Sequence, residues 1–319
     1  MDLIYTNAER VDQGVLSAYA FDLSYGAAEN DFSIVIGTAE AMLDYGSCVY
    51  MEGTEYGGIV DSKKVITNSE SVTYMGRTWH GVLNSKIIEP DSRENYYVVS
   101  GDANQVLSLL ISRMGLSELF TAKKEAAGVD IGKYQFHRYC KGYDGISDML
   151  ADNGAKLKIA WKNQTVELSA VPIVDYTQDP IDGDTTTLTV EQHEKKVNHL
   201  VCLGKGELSD REVIHLYADQ NGNIGDTQYY TGVDEVSEKY ENSNTEDLRS
   251  DGVKRFKELR DNDKAEITLP ENDALTYDIG DIVSASDVHT GVSATASVTQ
   301  KIVRINNGAI NTEYKTGRG

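Results

Sequence analysis

The alternation of apolar and polar residues over short runs is the pattern that most restricts the fold of this chain. In the run 31–36, the side chains of Phe32, Ile34 and Ile36 would lie on one face of an extended strand. Gly, Asn and Ser residues separate further runs of this kind, at 47–51, 58–61, 65–67 and 72–79. Short strands at this spacing are typical of a β-barrel or a β-sandwich.

After Pro90, helical patterns occur together with strand patterns. Between residues 102 and 114, apolar side chains recur at helical spacing. Ser100 or Asp102 can cap the helix start, and Gly115 can end it. A second short helix is predicted over 144–153, with Gly154 as its left-handed stop. Strands are predicted at 133–139, 156–161 and 165–171, the last two as a hairpin.

Strand patterns return in the last third of the chain. They lie at 185–190, 197–203, 212–217, 265–269, 281–284, 299–305 and 309–314. A run from Thr245 to Arg260 places Leu248, Phe256 and Leu259 near one stripe, which predicts an embedded helix. The turn 306–308, Asn-Asn-Gly, predicts a tight hairpin between the last two strands.

The order of these patterns predicts the fold class and the domains. We expect an α+β chain that is mainly β, since helical runs are few and strand runs are many. The expected domains are a strand-rich domain at 1–95, a small α+β insert at 96–180, and a second strand-rich domain at 181–319 with the helix near 245–260.

Acidic residues dominate the charge, and the formal net charge is -21. Such a chain is not expected to read nucleic-acid sequence or to bind anionic membranes, because both need clustered Lys and Arg. Segment 11–62 holds nine acids and no Lys or Arg, and segment 207–251 holds twelve acids and three bases. The ordinary interpretation of these two acidic segments is a well-solvated surface.

The cysteines and the N-terminus indicate the cellular compartment in which the protein is made, and we expect a reducing one. Cys48, Cys140 and Cys202 are odd in number and far apart, so a disulfide framework is not expected, and we interpret all three as small buried side chains. The N-terminus lacks the basic stretch and apolar run of a signal peptide. With no eighteen consecutive apolar residues, no membrane-spanning segment is predicted.

Three local patterns are candidate binding sites. Asp219–Asn223 begins like a calcium loop, but Ile224 stands where glycine is required and Tyr230 where the closing Glu is required, which favours a turn. Gly204–Gly206 could begin a phosphate loop, but acidic residues follow it, and a strand end or a bulge explains it better. The third pattern is the group formed by His193, His199 and Cys202.

A metal site needs about four ligands, and this group offers no second ligand pair. On a strand, His199 and Cys202 would point to opposite faces. His137 and Cys140 form a similar short spacing without a second pair. No hydrolase motif occurs either. We therefore predict no catalytic residues, no cofactor-binding residues, no metal ligands and no cofactor.

Several sequence blocks resemble the tail-hub proteins of long-tailed phages of Gram-positive bacteria, a family that includes the N-terminal part of tail-associated lysins. The blocks are Tyr74–Leu83 (YMGRTWHGVL), Ile87–Pro90 (IIEP), Gly142–Ile146 (GYDGI), Tyr277–Val283 (YDIGDIV) and Thr299–Val303 (TQKIV). They lie in all three predicted domains, so the resemblance covers nearly the whole chain.

The resemblance implies a non-enzymatic virion protein of the tail tip or baseplate, of phage or prophage origin, that is assembled in the bacterial cytoplasm. It implies a homotrimer in which two β-barrel-like tube domains per subunit form a pseudo-sixfold ring around the DNA channel. The implied partners are a distal tail or tail tube protein, a tip, spike or fibre protein and a tape measure protein. DNA would pass through without sequence-specific binding.

Many relatives carry a C-terminal hydrolase or fibre, whereas this sequence ends at Gly319, so lytic or receptor-binding activity is expected on another chain. Two alternatives stay open from the residues. A cell-wall carbohydrate-active enzyme would need two carboxylates about 5–10 Å apart in a cleft. The second alternative is a surface adhesion module, which the missing export signal disfavours.

Overall fold

Strands form most of the chain, as the alternating pattern predicts. The computed structural model describes all residues except 1, 40–42, 183–187, 192–194, 244–246, 261–263, 268, 270–275 and 318–319. The mainly β α+β class is confirmed, and none of the sheets in the described residues closes on itself. The described chain forms two compact units, a larger one (1–188 and 266–319) and a smaller one (189–265). The predicted division at residues 95 and 180 stays a prediction.

The first part of the larger unit consists of seven strands. They are Leu3–Thr6 (β1), Asp12–Leu16 (β2), Tyr19–Gly26 (β3), Asp31–Gly37 (β4), Cys48–Tyr50 (β5), Gly57–Val65 (β6) and Ser71–Thr78 (β7). All neighbours pair antiparallel, and in the β3–β4 pair Phe21 lies opposite Ile34. Phe21, Phe32, Ile34 and Ile36 are buried in one core, which confirms the face predicted for 31–36.

The middle part contains three helices. Its elements are Trp79–Asn84 (α1), Ile87–Ile88 (β8), Val98–Asp102 (β9), Ala103–Arg113 (α2), Phe120–Ala122 (β10), Asp130–Gln135 (β11), Cys140–Lys141 (β12), Gly142–Ala151 (α3), Ala155–Lys162 (β13) and Thr165–Pro172 (β14). The Asp102 side chain caps α2 by accepting from Asn104 N, and Gly115 follows it with φ 68°. The predicted β13–β14 hairpin is confirmed.

Helix α1 was not predicted from the sequence. The pattern predicted a strand through Trp79, but β7 ends at Thr78, whose hydroxyl accepts a hydrogen bond from Gly81 N and caps the helix. Thr is a common N-cap residue, because its side-chain oxygen satisfies a free amide of the first turn. The predicted strand 72–79 is therefore wrong at its last residue.

The remaining elements complete both units. They are Ile181–Asp182 (β15), Leu188–Glu191 (β16), His199–Leu203 (β17), Val213–Ala218 (β18), Ile224–Gly225 (β19), Ser237–Glu241 (β20), Leu248–Arg260 (α4), Lys264–Ile267 (β21), Ile282–Ser286 (β22), Ser293–Asn306 (β23) and Ala309–Gly317 (β24). Half of the predicted strand 185–190 (residues 185–187) and the first two residues of the predicted helix 245–260 lie outside the described residues.

The long strand β23 belongs to two cores of the larger unit. Ala296 and Val298 in its first half pack in a core with Val283. Val303 and Ile305 in its second half pack in the core of strands β1–β7, where β23 pairs with β3. The C-terminal strands therefore share one eleven-stranded sheet with the N-terminal strands.

The core of the smaller unit lies between a four-stranded sheet and one helix. The strand order is β19-β18-β17-β20, with β17 and β20 parallel and the other pairs antiparallel. Helix α4 buries Leu248 and Phe256 in the same core as Leu200, Cys202 and Leu216. This core is separate from those of the larger unit.

Gly81 allows α1 to lie close to the loop before β4. A Cβ atom at this position would lie 2.0 Å from Asn30 O, so the backbone would have to shift. We expect Gly81→Ala to lower the free energy of unfolding by about 1–3 kcal/mol, the usual cost of overpacking. Urea denaturation measures the change.

The matched control is Gly132→Ala, because a Cβ at Gly132 meets no atom within 4 Å. Its expected effect is within about 0.5 kcal/mol. If both variants lose the same stability, close packing is not the reason for glycine at position 81.

Candidate functional site

The larger unit has three parts: the first strands (β1–β7), the middle part (α1–β14) and the C-terminal strands (β22–β24). Five buried or half-buried charges lie where these parts meet, and we call them the ionic junction. Glu55 follows β5, Lys156 lies on β13, Asp278 and Asp281 precede β22, and Lys301 lies on β23. The two lysine side chains are only 6% (Lys156) and 3% (Lys301) exposed. Lysine is rarely buried to this extent unless it is paired with acids.

The ionic junction is a continuous network. Lys301 Nζ lies 2.7 Å from Glu55 Oε1 and 3.7 Å from Asp278 Oδ1. Lys156 Nζ lies 3.1 Å from Asp278 Oδ2 and 2.6 Å from Asp281 Oδ1. Asp278 thus connects the two lysines.

The turn before β22 places the two aspartates. Gly280 adopts φ 96°, a conformation that glycine adopts without strain. Asp281 Oδ2 accepts a hydrogen bond from Asp278 N at 2.8 Å, and Asp281 Oδ1 accepts one from Val174 N at 2.9 Å. The backbone therefore holds the Asp281 carboxylate beside Lys156.

Pairing favours the charged forms of Lys301 and Asp278. Burial disfavours the charged form of Lys301, but Glu55 and the other neighbouring acids outweigh it and hold the lysine pKa above its usual range. Burial likewise opposes ionisation of Asp278, but Lys301 and Lys156 outweigh it and lower the aspartate pKa. A glycosidase acid needs a raised pKa, so the lowered pKa of Asp278 favours a structural role for this carboxylate over general acid chemistry.

His80 on α1 extends the junction through aromatic contacts. Its ring stacks on Tyr25 with 4.4 Å between centroids and meets the edge of Tyr143 at 5.1 Å. Tyr25 Oη in turn donates a hydrogen bond to Glu55 Oε1 at 2.7 Å. His80 Nδ1 is buried and has no hydrogen-bond partner.

Burial lowers the pKa of His80 to about 4. The charge of Glu55 acts to raise this pKa, and the charge of Lys301 acts to lower it. An unfolded chain has a histidine pKa of about 6.5, so between these values only the unfolded chain binds the proton. Stability should therefore fall as the pH is lowered from about 6.5 to about 4, by about 3 kcal/mol from this group.

His80→Phe should remove this contribution while keeping a ring against Tyr25. Urea denaturation of the wild type and the variant at several pH values measures the difference between their free energies of unfolding. Groups that titrate in both proteins cancel in this difference. Parallel stability–pH curves for the two proteins would show that His80 does not cause the acid sensitivity.

A second contact between the first strands and the middle part is aromatic. Trp161 on β13 stacks on Tyr50 with 4.0 Å between centroids and on Trp79 with 5.3 Å. Trp161 also exchanges two backbone hydrogen bonds with the loop after β5, from Gly53 N to Trp161 O at 2.9 Å and from Trp161 N to Thr54 O at 2.8 Å. These contacts join the hairpin β13–β14 to β5 and to the loop that follows it.

The patterns at Asp219–Asn223 and Gly204–Gly206 are a turn and a strand end, respectively. Asp219 Oδ1 accepts hydrogen bonds from the backbone amides of Asn221 and Asn223, and Asp219 Oδ2 accepts one from the Asn223 side chain, which confirms the turn. β17 ends at Leu203 immediately before Gly204, where a Cβ would lie 2.5 Å from a side-chain oxygen of Glu212. This confirms the predicted strand end.

His199 pairs with residues that its sequence spacing did not suggest. It lies on the face of β17 opposite the buried Cys202, as predicted. Its Nδ1 lies 2.6 Å from Glu235 Oε1, and its Nε2 lies 2.8 Å from His215 Nδ1. His193 lies outside the described residues. The alternation of side chains along β17 and β18 allows His199 and His215 to lie on the same face of the sheet. Their contact depends on how β17 and β18 are aligned, which the sequence spacing does not show.

The predicted burial of the cysteines is confirmed for Cys48 and Cys202 and is wrong for Cys140, which is half-buried in the short strand β12. In the part of the chain that the structure describes, no three His, Cys, Asp or Glu residues are grouped to hold a metal ion. Over the same residues, no helix is both long and apolar enough to cross a membrane.

Most acids of the segment 11–62 are exposed. The exposed members are Asp12, Asp22, Glu29, Asp31, Asp44, Glu52 and Asp61, whereas Glu55 is half-buried in the ionic junction and Glu40 is outside the described residues. The solvated surface expected for this segment is therefore confirmed for the seven exposed acids.

No model of a known protein family matches the chain, and no curated protein does. Solved structures do match over its whole length. The prophage tail protein gp18 from Listeria monocytogenes EGD-e has TM-score 0.56 and 13% identity, covering 100% of this chain and 95% of that one. The 43 kDa tail protein of prophage MuSo2 from Shewanella oneidensis has TM-score 0.56 and 11% identity, with 99% and 98% covered.

A chain of the phage P2 baseplate in its activated conformation has TM-score 0.51 and 11% identity, covering 99% of this chain and 98% of that chain. The chain has the fold of phage tail proteins. Since the neighbours include tail proteins from Listeria and from Shewanella, the fold does not single out one group of hosts.

Four of the five blocks behind the sequence resemblance carry side chains of the ionic junction or of the aromatic contacts beside it. Tyr74–Leu83 carries Trp79 and His80, and Gly142–Ile146 carries Tyr143. Tyr277–Val283 is the turn with the two aspartates, and Thr299–Val303 carries Lys301. The blocks therefore contribute most of the side chains that connect the three parts of the larger unit.

Proposed function

We propose that this chain is the structural, non-catalytic hub of the tail tip or baseplate of a phage or a phage-like particle. In this role it joins the tail tube or distal tail ring to the tip, spike or fibre. The observation that carries the proposal is the fold likeness to tail and baseplate proteins over 99–100% of the chain. A tape measure protein is a further proposed partner, and the proposed hosts are Gram-positive bacteria.

The ionic junction and the Trp161 stack suit this role. A hub passes mechanical load between its neighbours, so its parts must stay in a fixed arrangement. Buried ion pairs hold a fixed geometry, because breaking one leaves an uncompensated charge away from water. In this proposal, the junction keeps the parts of the larger unit together under load.

We further propose a homotrimer whose tube domains, at 1–95 and 181–319, form a pseudo-sixfold ring. Exposed acids such as Asp12, Asp44 and Glu52 would then face the channel and repel the phosphates of passing DNA. Light scattering should report about 105 kDa, three times the 35.1 kDa of the chain. A monomer that degrades peptidoglycan would instead support the enzyme alternative.

Deletion of the gene from its phage or prophage tests the proposal. After induction, electron microscopy should show capsids without complete tails, and a plasmid copy should restore them. Lys301→Ala is expected to restore fewer tails than the wild type, whereas Lys315→Ala, an exposed lysine on β24, should restore them fully. Normal infectious particles in the deletion strain would contradict a hub function.

A further inference from the structure

The last residues of β6 form an edge of the large sheet, and the turn into β7 extends beyond the last pair of the hairpin, Val65 with Val72. Residues 62–68, which we call the hairpin arm, are all exposed, including Val65 and Ile66 at 60% each. Strand β5 pairs only with Gly57–Ile59 of β6, so the end of β6 is paired on one side by β7. Exposed apolar side chains on a sheet edge are typical of a contact surface.

The hairpin arm is also basic within an acidic region. Lys63 and Lys64 are the first basic residues after Arg10, since the segment 11–62 contains neither Lys nor Arg. Like charges would meet if two arms paired with each other, which disfavours an arm-to-arm contact. An acidic surface is the complementary partner.

Such a surface lies on the exposed face of the large sheet, and we call it the acidic groove. It is an open groove across β3, β4, β7 and β23. Asp61 and Arg304 line it but are paired, Asp61 with Arg77 at 2.7 Å and Arg304 with Glu313 at 3.0 Å.

The net charge of the acidic groove comes from Asp22, Glu29 and Asp31, which are all exposed. Burial and the nearby Glu29 raise the pKa of Asp31, as expected where acids crowd together. A basic segment placed in the groove would relieve this repulsion.

We propose that the hairpin arm of one copy of this chain docks in the acidic groove of a second copy. Lys63 and Lys64 would face Asp22, Glu29 and Asp31, and the apolar residues at the arm tip would cover the sheet face. Because arm and groove are different surfaces, the contact is head-to-tail and can close a ring. The inference rests on the proposed trimer and assigns these three acids to the subunit contact rather than to the channel.

Charge reversal tests the contact. In light scattering of the full chain at low salt, the wild type should be a trimer. Lys63→Glu/Lys64→Glu and Asp22→Lys/Asp31→Lys should each be monomeric, and the combined four-fold variant should regain the trimer. High salt should weaken the wild-type trimer, because exposed charges are screened. The matched control is Lys123→Glu/Lys124→Glu, another exposed lysine pair, which should stay trimeric.

Tryptophan fluorescence checks folding of every variant, because both tryptophans of the chain, Trp79 and Trp161, lie in the larger unit. A trimeric Lys63→Glu/Lys64→Glu variant would overturn the docking while leaving the hub proposal intact. A wild type that is monomeric at every concentration would overturn the trimer itself, and the docking with it.

Discussion

Lys301→Ala is expected to lower the free energy of unfolding of the larger unit by about 3–5 kcal/mol, the usual cost of removing one partner from a buried ion pair. The lysine side chain is 3% exposed, so water has little access to the site. Without it, Glu55 keeps the Tyr25 hydroxyl as a donor but loses its cation, and Asp278 keeps only Lys156. The cost is therefore that of uncompensated charge and not only of a lost contact.

Guanidinium denaturation followed by tryptophan fluorescence measures this change, since both tryptophans report on the larger unit. Lys315→Ala is the matched control, because it removes an exposed lysine from β24 and should change stability by less than about 0.5 kcal/mol.

A double-mutant cycle isolates the pair itself. Glu55→Gln combined with Lys301→Met should cost less than the sum of the two single changes, since the double variant leaves neither charge of the pair buried alone. Strict additivity would contradict a direct coupling between Glu55 and Lys301.

Trp161→Ala should cost about 3–5 kcal/mol, the range for truncating a buried large aromatic side chain. The change leaves a void between Tyr50 and Trp79 and removes two ring stackings. Each aromatic pair contributes about 0.5–1.5 kcal/mol beyond its buried area. Trp79 remains as the fluorescence reporter for the denaturation experiment.

The Trp161 change should also loosen the docking of β13 on the loop after β5. Hydrogen exchange at Gly53 N, which donates to Trp161 O, should become faster. Tyr96→Ala, which truncates an aromatic side chain that is 47% exposed, is the control and should change stability by less than about 0.5 kcal/mol. Equal losses in the two variants would show that the stack does not fasten the hairpin.

Local signals in the sequence predicted several elements correctly. Asp102 and Gly115 mark the ends of α2 because capping and a left-handed stop depend only on residues within one turn. The β13–β14 hairpin was predictable for the same reason, since its partners are close in sequence. The start of α1 was missed because Thr78 continues the alternation of β7, and its capping role becomes visible only when the backbone turns.

The candidate site was not predictable to the same degree. Five sequence blocks were recognised, but nothing in their spacing indicates that four of them contribute to the same junction. Lys301 and Glu55 are 246 positions apart, and Lys156 and Asp281 are 125 apart. Their pairing depends on which strands become neighbours. A period-two pattern shows which side chains share a face, but not which strand lies beside them.

The sequence alone therefore determined the mainly β class, most of the strands, the acidic surface and the residues of the blocks. These depend on side-chain alternation, turn chemistry and charge, which are local or additive properties. The tertiary structure decided that β23 joins two cores, that Lys301 and Lys156 are buried with acids, and that His80 stacks on Tyr25. Such contacts depend on strand order and register, which arise from packing between segments far apart in the chain.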